Sequence, residues 1–241
     1  NLAIKGVAAK LADRGRHIVS VATEHPSVLD PLAALARTGY EVTLLPVIQA
    51  PSDRAGLIDV DRVAAALRDD TILVSVMLAN NEIGTIQPVA EIGRLCRQRG
   101  VLMHTDATQA VGKMPVNVAQ LNVDLMSFSA HKIYGPKGIG ALWVRRGRPP
   151  VRLTPLFDGG GQEGGLRSGT LNTPGIVGFA RALQLCIEEL PHESIRLRKL
   201  RDRLYSGLTS ALTGVRLNGP ALSPPDRRLP GNLNVSFAYI D

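Results

Sequence analysis

Apolar and polar positions along this chain follow two alternating rhythms. Short, nearly continuous apolar runs, HIVSVA (17–22), EVTLLPV (41–47), TILVSVML (71–78), VLMHTD (101–106), VDLMSF (123–128) and IGALWVRR (139–146), predict strands. Between them, apolar residues three and four apart predict helices over 1–14, closed by Gly15, within TEHPSVLDPLAALARTG, where a turn leads into a helix closed by Gly39, over 60–70, and over 88–100 with Pro88 in its first turn. Strands that alternate with helices in this way build βαβ units. The fold class expected is α/β, a mostly parallel sheet flanked by helices. Runs this uniformly apolar suit strands covered on both faces.

Beyond Arg148 the pattern changes. FDGGGQEGGLRSGTLNTPG (157–175) has seven glycines and no periodicity, which predicts a loop. Residues 174–190 and 192–213 predict two helices, and VRLNGP and GNLNVSFAYI predict strands of a smaller unit. The expected division is a large domain over 1–190, a connecting helix over 191–213, and the start of a small C-terminal domain over 214–241.

In open α/β sheets ligands bind at the carboxyl ends of the strands, so the residues after each run carry the functional information. Thr23-Glu24-His25 follow the first strand, Asn80-Asn81-Glu82 follow 71–78, Asp106 and Gln109 follow 101–105, and Ser129, His131 and Lys132 follow 123–128. These polar and ionisable groups should converge on one edge of the sheet.

Composition narrows the class. Apolar residues make up 44% of the 241, which fits a globular chain and excludes wholesale disorder. No apolar run is long enough to predict a membrane span. The net charge of +7 comes partly from Arg145-Arg146-Arg148 and from Arg196, Arg198, Lys199, Arg201 and Arg203. The second cluster lies on a helical pattern whose leucines form the buried stripe. With only 4% aromatic residues there is little for base stacking, so a solvated basic face is expected and nucleic-acid binding is not. Cys96 and Cys186 fall on apolar faces of predicted helices and read as small core residues, with no disulfide framework and no metal site. A cytoplasmic setting follows as the expectation. Asn1 falls inside a helical pattern and Asp241 follows a strand-like run, so the chain is expected to be a fragment lacking both termini.

Lys132 stands between two apolar runs, in DLMSFSAHKIYGPKGIGALWV. A lysine withdrawn from water there would have a lowered pKa, and its neutral amine could form a Schiff base with a carbonyl. An aspartate (Asp106) and a lysine (Lys132) at adjacent strand ends, with a histidine and small hydroxyls between them, match the needs of pyridoxal 5′-phosphate. The lysine carries the aldehyde, and the carboxylate keeps the ring nitrogen protonated so that the ring acts as an electron sink. Serine and histidine side chains suit the phosphate. His25 reads either as a ring-stacking residue or as a satisfied turn residue. A Schiff-base lysine alone would equally suit an aldolase, whereas no glycine-rich nucleotide loop opens a helix after a strand.

ANNEIGTIQPV, HTDATQAVGK, DLMSFSAHKIYGPKGIGAL, LRSGTLNTPGIVG, TEHPSVLD and NLNVSF together resemble the group I cysteine desulfurases, pyridoxal-phosphate enzymes of the aspartate-aminotransferase fold type. The resemblance runs from His25 to Phe237. It implies a homodimer that converts L-cysteine to L-alanine and passes the sulfur, as an enzyme persulfide, to an iron–sulfur scaffold or another acceptor protein. Carried over, it implies that Lys132 and His25 are catalytic, with Lys132 holding the cofactor and moving the substrate α-proton. Asp106 would face the ring nitrogen and His25 the ring. Gln109 and Asn81 would face the phenolic oxygen, Ser129 and His131 the phosphate, and Thr170 the phosphate of the partner subunit's cofactor. The family's cysteine-bearing loop and its substrate-carboxylate arginine match positions beyond Asp241, so the fragment itself is expected not to desulfurate cysteine. Gly164 stands where the family usually has arginine, which implies a less anchored loop before Thr170. A selenocysteine lyase, another β-eliminase of the same class, and a non-catalytic remnant acting as a dimerising module are the alternative expectations.

Overall fold

The computed structural model describes residues 1–238. Its centre is a six-stranded sheet of β1 (His17–Val21), β2 (Glu41–Leu45), β3 (Thr71–Ser75), β4 (Leu102–Asp106), β5 (Leu125–Ser129) and β6 (Gly140–Val144), in the order β2-β1-β3-β4-β5-β6. All neighbours pair in parallel except β5 and β6, which are antiparallel. The mostly parallel α/β sheet expected from the apolar runs is therefore present, with most strand ends one to three residues inside the runs and β5 reaching one residue past its own.

The two faces of the sheet pack into two separate cores. Ile18, Ile72 and Leu73 pack with Ile4, Val7 and Leu32 of α1 (Leu2–Lys10) and α2 (Pro26–Ala36). Val19, Val74 and Met103 pack on the other face with Val63 of α3 (Val60–Ala66) and with Ile92 and Cys96 of α4 (Val89–Arg99). Covered on both faces, β1 and β3 are buried at every position, which is why their sequences read as unbroken apolar runs.

Two buried histidines cross-link the strands. His17 places Nδ1 2.8 Å from Thr71 Oγ1 and Nε2 2.9 Å from Thr43 Oγ1, joining β2, β1 and β3. His104 places Nδ1 2.8 Å from Ser75 Oγ and Nε2 3.0 Å from Ser127 Oγ, joining β3, β4 and β5. Each ring is satisfied on both nitrogens by hydroxyls that can donate or accept, so neither imidazole needs a charge. Burial accordingly pushes His104 down to about 4.

Two expectations need correcting. The helices predicted over 174–190 and 192–213 are one 39-residue helix, α6 (Thr173–Ala211), which follows the short α5 (Val118–Leu121) in chain order. Pro191 lies inside it, where its ring removes one backbone donor without ending the helix. The segment predicted as helix over 60–70 stops at Ala66, and Arg68 N is taken instead by Thr71 Oγ1 at 2.8 Å. After α6, β7 (Val215–Leu217) and β8 (Val235–Phe237) pair antiparallel as a separate two-stranded sheet. The expected strand GNLNVSFAYI runs on into Tyr239 and Ile240, which lie outside the described residues. No described helix is long and apolar enough to cross a membrane.

Candidate functional site

The carboxyl end of the sheet gathers the polar residues that follow β1, β3, β4 and β5. The chain leaving β1 runs into His25, which caps α2. Its Nδ1 accepts from Ser27 N at 3.1 Å and lies 2.9 Å from Ser27 Oγ. Accepting a backbone N–H requires the lone pair on Nδ1, so the neutral ring carries its proton on Nε2. The cap holds the exposed imidazole over a cleft of about 290 Å³ lined by Thr23, Glu24, His25, Asn80, Asn81 and Glu82, among others. The turn-residue reading and the ring-facing reading of His25 are thus compatible, because one ring nitrogen does the capping and the ring itself borders the cleft.

Beneath His25, Glu24 is buried and accepts from Met77 N through Oε1 at 2.5 Å. Its Oε2 and the neighbouring Thr23 Oγ1 are buried with no partner among the described residues. Burial, aided by the charge of nearby Asp106, pushes Glu24 up to about 8, so it carries its proton at neutral pH. Asn80 is buried and shapes the loop after β3. Its Oδ1 accepts from Glu82 N and Ile83 N, both at 2.9 Å, and its Nδ2 donates to Thr23 O at 3.1 Å. Asn81, the expected ligand, is exposed on the turn that Asn80 makes.

Asp106 is the last residue of β4 and is 9% exposed. One carboxylate oxygen accepts from Thr108 N at 2.9 Å, and the other has no protein donor among the described residues. Three residues on, Gln109 is half-buried, and its Oε1 accepts from Lys113 Nζ at 2.6 Å. β5 ends at Ser129, whose Oγ lies 2.7 Å from His131 Nδ1. A 3₁₀ turn, Ala130–Ile133, then carries Lys132. Contrary to the expectation of a desolvated lysine, Lys132 is exposed. The turn lifts it off the strand end instead of leaving it between two strands. Its charge still reaches Lys113, whose pKa is lowered first by burial and then by Lys132.

The structure therefore brings His25, Asn81 and Asp106 with Glu24 to one part of the edge, and Gln109, Ser129, His131 and Lys132 with Lys113 to the next. Thr170 is not brought to either. It lies exposed on the glycine loop before α6, where Ser168 Oγ accepts from Gly161 N at 3.3 Å and Gln162 Oε1 from Gly169 N at 2.8 Å. Gly164 in that loop has φ +64°, with nothing within 4 Å of where a Cβ would stand. Lys113 escaped the sequence reading, and for Glu24, which was read as a polar residue after the first strand, it was the burial that escaped. Lys113 had a signal in its i, i+4 spacing from Gln109, whereas the burial of Glu24 had none, because it depends on Met77, just past β3 and far away in sequence. Among the described residues no group of three or more His, Cys, Asp or Glu is placed to hold a metal ion.

The donor set fits pyridoxal 5′-phosphate. A carboxylate with one free oxygen at a strand end suits a protonated ring nitrogen, an exposed primary amine suits the aldehyde, and a hydroxyl–imidazole pair suits the phosphate. The two unpartnered atoms, Thr23 Oγ1 and Glu24 Oε2, mark the same end of the sheet as built for polar contents.

The sequence profile of the class-V aminotransferases matches residues 1–241. Cysteine desulfurase IscS of Anaeromyxobacter dehalogenans (strain 2CP-C) is 53% identical over all 241 residues, which cover 57% of that relative. IscS of Pasteurella multocida (strain Pm70) is also 53% identical with the same coverage. Among solved structures, a NifS-like protein superposes with a TM-score of 0.89 at 41% identity, over 99% of this chain and 62% of that one. DndA from Streptomyces lividans superposes with a TM-score of 0.87 at 41% identity, over 100% of this chain and 65% of its own. This chain thus spans 57% of the length of these curated relatives. A mostly parallel sheet with Asp106 at the end of β4 and Lys132 on the turn after β5, matched along its whole length by one profile, places the chain in the aminotransferase class-V family, whose members depend on pyridoxal phosphate.

Proposed function

We propose that this chain is the cofactor-binding core of a cysteine desulfurase, which converts L-cysteine to L-alanine and delivers the sulfur as an enzyme persulfide to an iron–sulfur scaffold or another acceptor. The observation that carries this is the pairing of Asp106, ending β4 with a free carboxylate oxygen, with Lys132, on the turn after the neighbouring strand β5. Support comes from the IscS relatives and from a structural neighbour 36% identical with a TM-score of 0.80, SspA, which is described in complex with cysteine.

In this reading Asp106 accepts a hydrogen bond from the protonated ring nitrogen through the oxygen that Thr108 leaves free. When bound, the pyridoxal group supplies an electron sink for the substrate α-carbon. Lys132 holds the cofactor through its amine and takes the substrate α-proton. His25, its Nδ1 tied to the start of α2, covers the ring and presents Nε2–H to the cleft. Gln109 and Asn81 face the phenolic oxygen. Ser129 and His131, already paired, turn their remaining hydrogen-bonding capacity to the phosphate, and Thr170 serves the phosphate of a partner subunit in a homodimer. Residues 1–190 act as the large domain, the following part of α6 as a connector and 214–241 as the start of the small domain, in a protein that works in the cytoplasm.

Absorbance tests this reading. The full-length protein with added pyridoxal phosphate should show a band at the edge of the visible range, and Lys132→Ala should lose it. A wild-type protein without the band at any cofactor concentration would exclude the assignment.

A further inference from the structure

The turn after β4 carries a contact that the proposed function leaves unused. Lys113 Nζ is 2.6 Å from Gln109 Oε1. An ammonium has three donors and no acceptor, so the atom facing it must be the amide oxygen. The amide orientation of Gln109 is therefore dictated by its neighbour, and the NH₂ group points away from Lys113. That NH₂ makes no hydrogen bond to protein among the described residues. Lys113 stands in unfavourable surroundings: burial lowers its pKa, and the charge of Lys132 lowers it further. It forms no ion pair among the described residues. The preceding Gly112 is wedged against Ile133 and Cys186, where a Cβ would come within 2.8 and 3.1 Å of their side chains, so the turn cannot easily swing Lys113 elsewhere. The one polar partner the structure gives this cation is the Gln109 oxygen.

We propose that Lys113 is a positioning residue: by occupying the Gln109 oxygen it locks the amide so that only N–H donors face the cofactor site, and that position is thereby selective for an anionic ligand oxygen. This rests on the reading above that Gln109 faces the phenolic oxygen. A freely rotating glutamine would offer an acceptor about as readily as a donor, and an acceptor against an anionic oxygen is repulsive. The competing account is that Lys113 acts only as a positive charge beside Lys132.

A double-mutant cycle on the full-length protein separates the two. The readouts are the dissociation constant for pyridoxal phosphate and the pH midpoint of the bound cofactor's visible band. Lys113→Met should weaken cofactor binding about tenfold, as expected for one hydrogen bond to a charged group, and should raise the midpoint, because a phenolic oxygen without its donor holds a neighbouring proton more tightly. In a Gln109→Ala background the same change should do nothing further. Lys113→Arg, still a donor-only cation, should behave as wild type. Gln109→Glu, which pairs with Lys113 but has no N–H to offer, should bind the cofactor at least as poorly as Lys113→Met, and it tests the idea even where Lys113→Met does not fold. Equal effects of Lys113→Met with and without Gln109, or wild-type affinity in Gln109→Glu, would overturn the proposal alone. A wild-type protein with no visible band would overturn the reading of the site and this inference with it.

Discussion

Glu24 shows how one buried group sets a pH dependence for the whole chain. Its folded-state pKa of about 8 stands above the ordinary carboxylate value of 4.5, so between those limits the folded protein holds a proton that the unfolded chain has released. Stability must then fall as pH climbs through this window. His104 works in the opposite sense: held near 4 against an ordinary 6.5, it loses stability as pH falls below 6.5. Between 6.5 and 8 only Glu24 of this pair titrates. Glu24→Gln keeps an oxygen for Met77 N and has no charge to acquire, so it should be more stable than wild type above pH 8, by an amount on the order of a few kcal/mol, and close to it near pH 4. Urea midpoints of the full-length protein across pH would show the two curves diverging; parallel curves would mean that Glu24 is not protonated in the folded state. If the proposed function holds, Asp106→Asn in the full-length protein, which keeps the bond to Thr108 N but loses the negative charge, should cut alanine formation about 10²- to 10⁴-fold with little change in melting temperature. Asp106 and Lys132 were legible because strand ends in a parallel sheet announce themselves as polar residues after apolar runs. The exposure of Lys132 was not, since it depends on a 3₁₀ turn that no periodicity marks.

Among the elements, those beyond β6 were the hardest to read from sequence, and α6 shows why. A proline in an amphipathic pattern ordinarily ends a helix, but Pro191 is exposed and α6 continues past it, so the boundary drawn there was a local signal overridden by the helix on either side. The link between the two-stranded sheet and the loop after β3 was equally hidden, because it depends on a buried arginine. Arg228 is fully buried, donating from Nε to Pro220 O at 3.0 Å and from Nη1 to Asn232 Oδ1 at 2.8 Å. Asn232 in turn donates to Glu82 O at 2.9 Å, on the loop that borders the cleft. Burial and the nearby Arg201 pull the Arg228 guanidinium down to about 10, still charged at neutral pH. Removing it leaves these acceptors without donors. Arg228→Met should destabilise the protein by about 3 kcal/mol or more and admit protease within 218–234 under native conditions. A variant with wild-type urea midpoint and cleavage pattern would show that the arginine is not the tie between the two units.

At the scale of the molecule, many of the exposed apolar residues run along α6 and the glycine loop before it, and Tyr134 stands beside Lys132. Tyr134, which ends the turn carrying Lys132, is 99% exposed and holds a φ of +62°. Pro136 of the same segment lies against Gly178 of α6, where a Cβ would meet it at 2.8 Å, so Tyr134 neighbours the helix whose first turns expose Ile176 and Val177. Leu171 and Phe157, on either end of the glycine loop, are exposed too. Single exposed apolar residues are ordinary, but a tyrosine standing wholly in water beside Lys132, next to further apolar side chains on α6, is the kind of patch that a partner covers. A second copy is the occupant expected if, as proposed above, Thr170 on that loop serves the cofactor of the neighbouring subunit. The full-length protein should sediment as a dimer at micromolar concentration. Val177→Glu, which places a charge in the contact without touching the lysine, should shift it towards monomer and weaken cofactor binding in parallel, while Thr170→Val should weaken the cofactor in the intact dimer. A monomeric wild-type protein that binds pyridoxal phosphate tightly would sink the idea, since the site would then be complete within one chain.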